Sequence, residues 1–343
     1  MVGRGDGSRK RPPDEPGTMT IGLIQGLLLA FALVVILMAP YIRLLRFLGF
    51  GKQIRGEGPE SHIVKLGTPT MGGMLIIVVV GGLAVLLGAL DASTYSPLAA
   101  LAGVGALGAA DDYLNAKTGD GITVRQKLLW QAVVAIVAAV YIQNHFDIIG
   151  IRVPFVGDVI IGPIPYIVFA AIGIIGFSNG VNLTDGLDGL AGGTLIFAFV
   201  AFMIIALLNV PAQPNLALVC ALIIGAILGF LWFNVHPAQI FMGDSGALAL
   251  GATLAVTALI TGQILVLPLI GIIFVVETLS VIIQVGYFKV SNGRRIFRMT
   301  PIHHHFELGG WDEEKITLRF WIVGALAGLL GVTLFLASIH ALQ

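Results

Sequence analysis

Residues 21–40, IGLIQGLLLAFALVVILMAP, run without a charge. At about 1.5 Å of rise per residue, a helix of this length covers the roughly 30 Å hydrocarbon core of a bilayer. A signal peptide would have a shorter apolar core followed by a small-residue cleavage site, so this run reads as a retained spanning helix. The same signal recurs down the chain. Windows of about twenty apolar residues predict helices near 20–46, 70–90, 95–112, 127–145, 163–180, 189–209, 215–233, 240–261, 264–288 and 317–340. The fold expected is an all-α integral membrane protein with ten transmembrane helices. Between the fourth and fifth, FDIIGIRVPFVGDVIIGP (146–163) alternates and carries Gly and Pro, which predicts a small periplasmic hairpin at the membrane surface.

Composition agrees. Apolar residues make up 57% of the 343 and charged residues only 11%, whereas soluble chains carry roughly a quarter charged. So few charges cannot cover a water-facing surface. The 45 glycines suit helices that approach closely within a bilayer. A formal net charge of zero gives no argument for a nucleic-acid partner. The single Cys220 excludes a disulfide framework and a thiolate metal site. The opening MVGRGDGSRKRPPDEPG is polar and rich in Gly and Pro. The expected organisation is a disordered tail, 1–18, and one catalytic domain, 19–343.

Basic residues orient the spans. Arg43, Arg46, Lys52, Arg55 and Lys65 follow the first helix; Lys117, Arg125 and Lys127 follow the third; Lys289, Arg294, Arg295, Arg298, Lys315 and Arg319 lie between the ninth and tenth. These are fourteen of the nineteen basic residues, against Arg152 alone in the opposite loops. The positive-inside rule makes the rich side cytoplasmic and both termini periplasmic. Arg4, Arg9, Lys10 and Arg11 in the tail run against this orientation.

Acids, histidines and amides collect in the same loops: KLGTPTMGG (65–73), DDYLNAKTGDGITVRQK (111–127), SNGVNLTDGLDGLAGG (178–193), FNVHPAQIFMGDSG (233–246) and PIHHHFELGGWDEEK (301–315). The outer connections, such as DASTYSP (91–97) and NVPAQP (209–214), are plain. Asp111 and Asp112 end the predicted third helix, where the dipole prefers cations, so a compensating cation is expected beside them. Lys127 opens the next helix near them. Asp185 and Asp188 suit N-caps of the sixth helix, but the Gly- and Asn-rich setting with Asn182 equally suits a nucleotide. Asp244 suits an N-cap of the eighth helix and also a metal. Carboxylates without thiols favour a hard cation such as magnesium, which takes one or two carboxylates plus substrate phosphates. His303, His304 and His305, consecutive in a loop, lack zinc-site spacing and read better as phosphate or carboxylate donors. Glu277 lies inside the ninth predicted helix and should face the protein interior. Acids for a metal, basic residues for phosphates and a nucleotide-like pocket amount to phosphoryl transfer at headgroup level.

These five segments, in this order from about Met19 onward, resemble the signatures of the phospho-N-acetylmuramoyl-pentapeptide transferase (translocase I) family. That family belongs to the polyprenyl-phosphate N-acetylhexosamine-1-phosphate transferase superfamily. The aspartate motifs are common to the superfamily, and the Pro301–Glu307 segment points to the muramoyl-pentapeptide branch. The resemblance implies that undecaprenyl phosphate attacks the sugar-linked phosphate of UDP-N-acetylmuramoyl-pentapeptide. The products would be UMP and lipid I for peptidoglycan. It implies Asp111, Asp112, Asp244 and Lys127 as catalytic residues and Mg2+ on Asp244 and Asp112. Asp112 or its neighbour would act as base, or as nucleophile in a two-step route. Asn182, Asp185 and Asp188, with Phe241 stacking, would hold the nucleotide. Lys65 and Thr70 would meet phosphates or neighbouring polar groups, and His303, His304 and His305 the sugar-phosphate or peptide end. A homodimer among membrane lipid is implied as well. The rivals are the same transfer from UDP-N-acetylglucosamine, against which the histidine segment speaks, and a secondary transporter or flippase, which would keep its polar groups nearer the bilayer midplane.

Overall fold

The computed structural model describes residues 16–50 and 67–342. The basic residues of the tail, and Lys52, Arg55 and Lys65, lie outside the described residues. The elements in order are α1 (Pro16–Phe47), α2 (Gly72–Leu86), α3 (Ala92–Thr118), α4 (Val124–Phe146), β1 (Gly150–Val153), β2 (Gly157–Ile160), α5 (Pro163–Thr184), α6 (Leu190–Leu208), α7 (Pro214–Asn234), α8 (Gly243–Ile260), α9 (Leu267–Ile270), α10 (Ile272–Val290), α11 (Ile302–Glu307) and α12 (Glu313–Leu342). Eight helices, α1, α4, α5, α6, α7, α8, α10 and α12, are long and apolar enough to cross a membrane. The apolar α2 has only 15 residues, and α3 is long but interrupted by Asp111 and Asp112. Length and hydropathy therefore mark eight spans where the apolar windows predicted ten.

Local chemistry sets several boundaries. Asp91 caps α3 by accepting from Ser93 N, with Thr94 completing a capping box. Thr123 and Gln126 form a second capping box at the start of α4. Pro163 and Pro214 open α5 and α7, where a missing N–H leaves no bond unmade. The stretch 146–163 forms the expected hairpin, with Gly150 opposite Ile160 and Val153 opposite Gly157.

Three sequence expectations change. α3 does not stop at residue 112 but runs two further turns and ends before Gly119, which takes φ 79°. Leu114, Ala116 and Lys117 after Asp112 are good helix formers, and the glycine, not the acids, terminates the helix. The predicted helix 264–288 is broken at Gly271 into α9 and α10. The histidines lie on a short helix, α11, rather than a loop.

α8 is the axis of the molecule. Every residue from Ser245 to Ile260 is buried, with α3, α5 and α2 packed around it. Its contact with α3 is backbone on backbone. A Cβ placed on Gly108 would stand 2.3 Å from the carbonyl oxygen of Asp244, so only glycine allows this approach. The outer helices keep large apolar residues exposed, such as Ile36 (67%), Leu129 (68%) and Leu329 (63%). Such surface suits lipid, not water. At the end away from Asp111, Asn215 Nδ2 donates to Asp91 Oδ2 (2.7 Å) and Asn209 Nδ2 to the Thr261 carbonyl (3.1 Å).

Candidate active site

Four helices bring their polar residues to one end of the bundle. The capping box at Thr123 starts α4 so that Lys127 falls on its first turn. Its Nζ reaches Asp111 Oδ2 on α3 at 2.9 Å and Asp244 Oδ2 on α8 at 2.5 Å. Asp111 Oδ1 also accepts from Ile122 N at 2.5 Å, which ties the α3–α4 turn to the same carboxylate. From α5, Asn182 Nδ2 donates to the other oxygen of Asp244 at 2.8 Å. Asn179 turns aside and donates to Gln131 Oε1 on α4 (2.8 Å). The cation expected beside the paired acids is thus present. The reason is not the one expected, because neither acid stands at a helix C-terminus.

Asp112 faces a different way, as adjacent helical positions must. Its two carboxylate oxygens accept from Asp244 N and Ser245 N, each at 3.1 Å. These are orphan donors of the first turn of α8, whose N-cap residue, Met242, supplies no side-chain bond. Asp112 therefore caps α8 from α3. Asp244 is not itself the cap of its helix, as the simplest sequence reading allowed. Asp111 and Asp244 face the Lys127 ammonium, and Asp112 adds a third carboxylate beside them.

The strip before α2 joins this wall. Phe241 N donates to the Pro69 carbonyl (2.8 Å) and Gly72 N to the Phe241 carbonyl (2.9 Å). A Cβ on Gly243 would stand 2.5 Å from Asp112 Oδ2 and 2.7 Å from Thr70 Oγ1, so Thr70 borders the carboxylates. Phe241 is half-buried between these segments.

The loop between α5 and α6 forms the neighbouring wall. Asp185 is the C-cap residue of α5, and Gly189 precedes α6 with φ 74°. Asp185 and Asp188 therefore stand on a turn, and the common helical face their spacing allowed does not form. Asp188 is buried; its Oδ2 accepts from Ala238 N (3.0 Å) and faces His236 Nδ1 (3.1 Å).

The three histidines separate, because α11 turns them by about 100° each. His303 is fully buried, with Nδ1 3.1 Å from Glu277 Oε1 of α10. Its Nε2 lies against the α5–α6 loop, 2.3 Å from where a Cβ on Gly186 would be. His304 Nδ1 pairs with Glu307 Oε2 at 2.6 Å. His305 Nδ1 accepts from Arg298 N at 3.1 Å. Asp111, Lys127, Asn182 and Asp244 are thus bonded to one another, Asp112 and Thr70 border them, and His303 backs the adjoining loop. His304 and His305 bond within their own segment. Glu277, which the sequence left without a partner, meets His303.

Residues 94–262 match the family model described as glycosyl transferase family 4. The match begins in the first turn of α3, ends just past α8 and contains the whole Asp111–Lys127–Asn182–Asp244 cluster. Two curated relatives extend the likeness over the rest. The phospho-N-acetylmuramoyl-pentapeptide-transferase of Chloroflexus aurantiacus is 46% identical over 323 residues, which are 90% of this chain and 88% of that one. The protein of the same name from Listeria monocytogenes is 45% identical over 319 residues, 90% of this chain and 97% of its own length. The chain belongs to the phospho-N-acetylmuramoyl-pentapeptide-transferase family.

Proposed function

We propose that this chain transfers phospho-N-acetylmuramoyl-pentapeptide from its UDP-activated donor to undecaprenyl phosphate, yielding lipid I and UMP. A phosphate oxygen of the lipid forms a bond to the sugar-linked phosphorus, and the bond from that phosphorus to the UMP oxygen breaks. The observation that carries the reading is the cluster in which Lys127 bridges Asp111 and Asp244 while Asn182 holds the second oxygen of Asp244.

The donor set fits magnesium. It is built of carboxylate and amide oxygens, and a positive charge, the Lys127 ammonium, already sits between two of the acids. Asp244 and Asp112 are the residues that would hold the ion. A bound magnesium supplies positive charge to the donor diphosphate. Lys127 adds a second charge beside the transferred phosphoryl group and keeps Asp111 oriented. Asp111 or Asp112 takes any proton remaining on the lipid phosphate. Asn182, Asp185 and Asp188, with Phe241, take the uridine nucleotide; Thr70 and Lys65 take phosphates; His304 and His305 face the sugar-phosphate or peptide end.

The chain sits in the bacterial inner membrane as a homodimer of ten-span subunits, with α2 and α3 completing the set. The active end is cytoplasmic and the hairpin periplasmic. In the sequence, fourteen of the nineteen basic residues fall after the first and third predicted helices and between the last two, which supports this side. The test is UMP release by purified protein given undecaprenyl phosphate and either UDP-N-acetylmuramoyl-pentapeptide or UDP-N-acetylglucosamine. Turnover of the muramoyl donor is expected. Turnover of the N-acetylglucosamine donor alone would replace the substrate, and movement of substrate without UMP release would replace the reaction.

A further inference from the structure

Glu313, Thr317 and Trp321 stand four residues apart on α12, so they line one face of that helix. Each is bonded to one of two adjacent residues before α6, Asp188 or Gly189, more than a hundred positions earlier. Glu313 Oε1 accepts from Asp188 N at 2.5 Å, Thr317 Oγ1 donates to the Asp188 carbonyl at 3.2 Å, and Trp321 Nε1 donates to the Gly189 carbonyl at 3.1 Å. Gly189 N donates to Asn234 Oδ1 at the end of α7 (3.1 Å). All four backbone polar groups of Asp188–Gly189 are therefore taken by side chains from other helices. A buried backbone needs such partners; the Gly189 carbonyl also accepts from Gly193 N of α6 at 3.0 Å.

Packing matches the bonding. A Cβ on Gly193 would lie 1.9 Å from Trp321 Cε2, so the indole rests on the first turn of α6 where no side chain stands. Leu187 of the same loop and Leu190, which opens α6, bury with Ile316 of α12 in a small apolar cluster of their own, joined by Phe306 and Trp311. Asp188, His236 and Glu313 also approach one another closely. Asp188 Oδ2 also accepts from Ala238 N at 3.0 Å, and the trio reads as part of the same hydrogen-bonded clamp.

We infer that the Glu313–Thr317–Trp321 face of α12 is a positioning device for the nucleotide donor. It sets where the Asp185–Asp188 turn stands, and thereby governs affinity for the UDP-activated substrate and not the phosphoryl-transfer step. The inference rests on reading that turn as the donor's pocket. None of the three residues is a catalytic residue; each acts through the loop it holds.

The test is steady-state kinetics of the purified full chain, with both substrates varied, on Glu313→Ala, Thr317→Val and Trp321→Phe. Each removes one bond, and the last keeps the ring. Each should raise the donor KM by up to about tenfold, the order of one hydrogen bond, with kcat held within about twofold and the polyprenyl-phosphate KM unchanged. Glu313→Gln, which keeps an accepting oxygen, should return the donor KM close to that of the unaltered chain. Titration with UMP should show the same ranking in Kd. A fall in kcat or thermal stability with the donor KM unmoved would overturn the inference, because a merely structural role predicts it. Should Glu313→Ala fail to fold, Thr317→Val and Trp321→Phe decide the question. Asp185→Asn separates the two readings. If it raises the donor KM while the α12 variants do not, the positioning role alone falls. If it leaves the donor KM unchanged, the assignment of the pocket falls and the inference with it.

Discussion

Lys127 is the only basic side chain among the described residues that bridges two of the three acids. Replacing it by Met leaves Asp111 and Asp244 facing each other without a cation, and turnover should fall by at least about a hundredfold, as for other lost electrostatic groups. UMP release measures this, and near-normal turnover would remove Lys127 from the site. Asp244→Ala should abolish activity at ordinary magnesium concentrations, and a chelator should do the same to the unaltered chain. Unchanged rates in both experiments would sink the metal assignment. Glu277 makes a different prediction, because its fully buried carboxylate has His303 Nδ1 as its near neighbour. Glu277→Ala removes the acid that faces this buried imidazole, at an expected cost of about 0.5–3 kcal/mol. A lowered melting temperature in detergent is expected, and an unmoved one would show that the pair contributes nothing to stability.

At the scale of elements, the site depends on how closely α3 lies on α8. Asp112 bonds the first turn of α8, and four residues earlier Gly108 touches the same turn through bare backbone. The atoms a new side chain would meet are main-chain atoms of Asp244, not the flexible end of a side chain. Gly108→Ala should therefore push the helices apart, with an overpacking cost of about 1–3 kcal/mol. Activity should fall further than stability alone explains, because Asp112 and Asp244 separate. Thermal unfolding and UMP release on the same preparation test this; unaltered values in both would show that the contact is soft.

For the whole molecule the decisive quantity is orientation. Cys220 is buried and should not react, so single cysteines can be added to the chain as it stands. Asn292→Cys, in the loop before the histidines, should resist a membrane-impermeant maleimide in intact cells and react once the cells are opened. Val156→Cys, exposed on the hairpin, should react in both. The reverse pattern would invert the proposed topology.

The sequence by itself determined the membrane-embedded helical class, most helix positions, the hairpin and the segments that meet at the Asp111–Lys127–Asp244 cluster. Apolar length and the confinement of polar residues to certain loops are properties of a linear chain, and the bilayer reads them directly. What the tertiary structure decided was the wiring. α3 outruns its apolar stretch, so Asp111 and Asp112 sit inside a helix, and one binds Lys127 while the other caps α8. Glu277 finds His303, and the three histidines part company. The α12 clamp on Asp188 and Gly189 was out of reach for the same reason. A spacing of four shows that Glu313, Thr317 and Trp321 share a face, but not which backbone that face meets. Contacts across more than a hundred residues depend on how the helices pack around α8, and no local pattern in the chain encodes that.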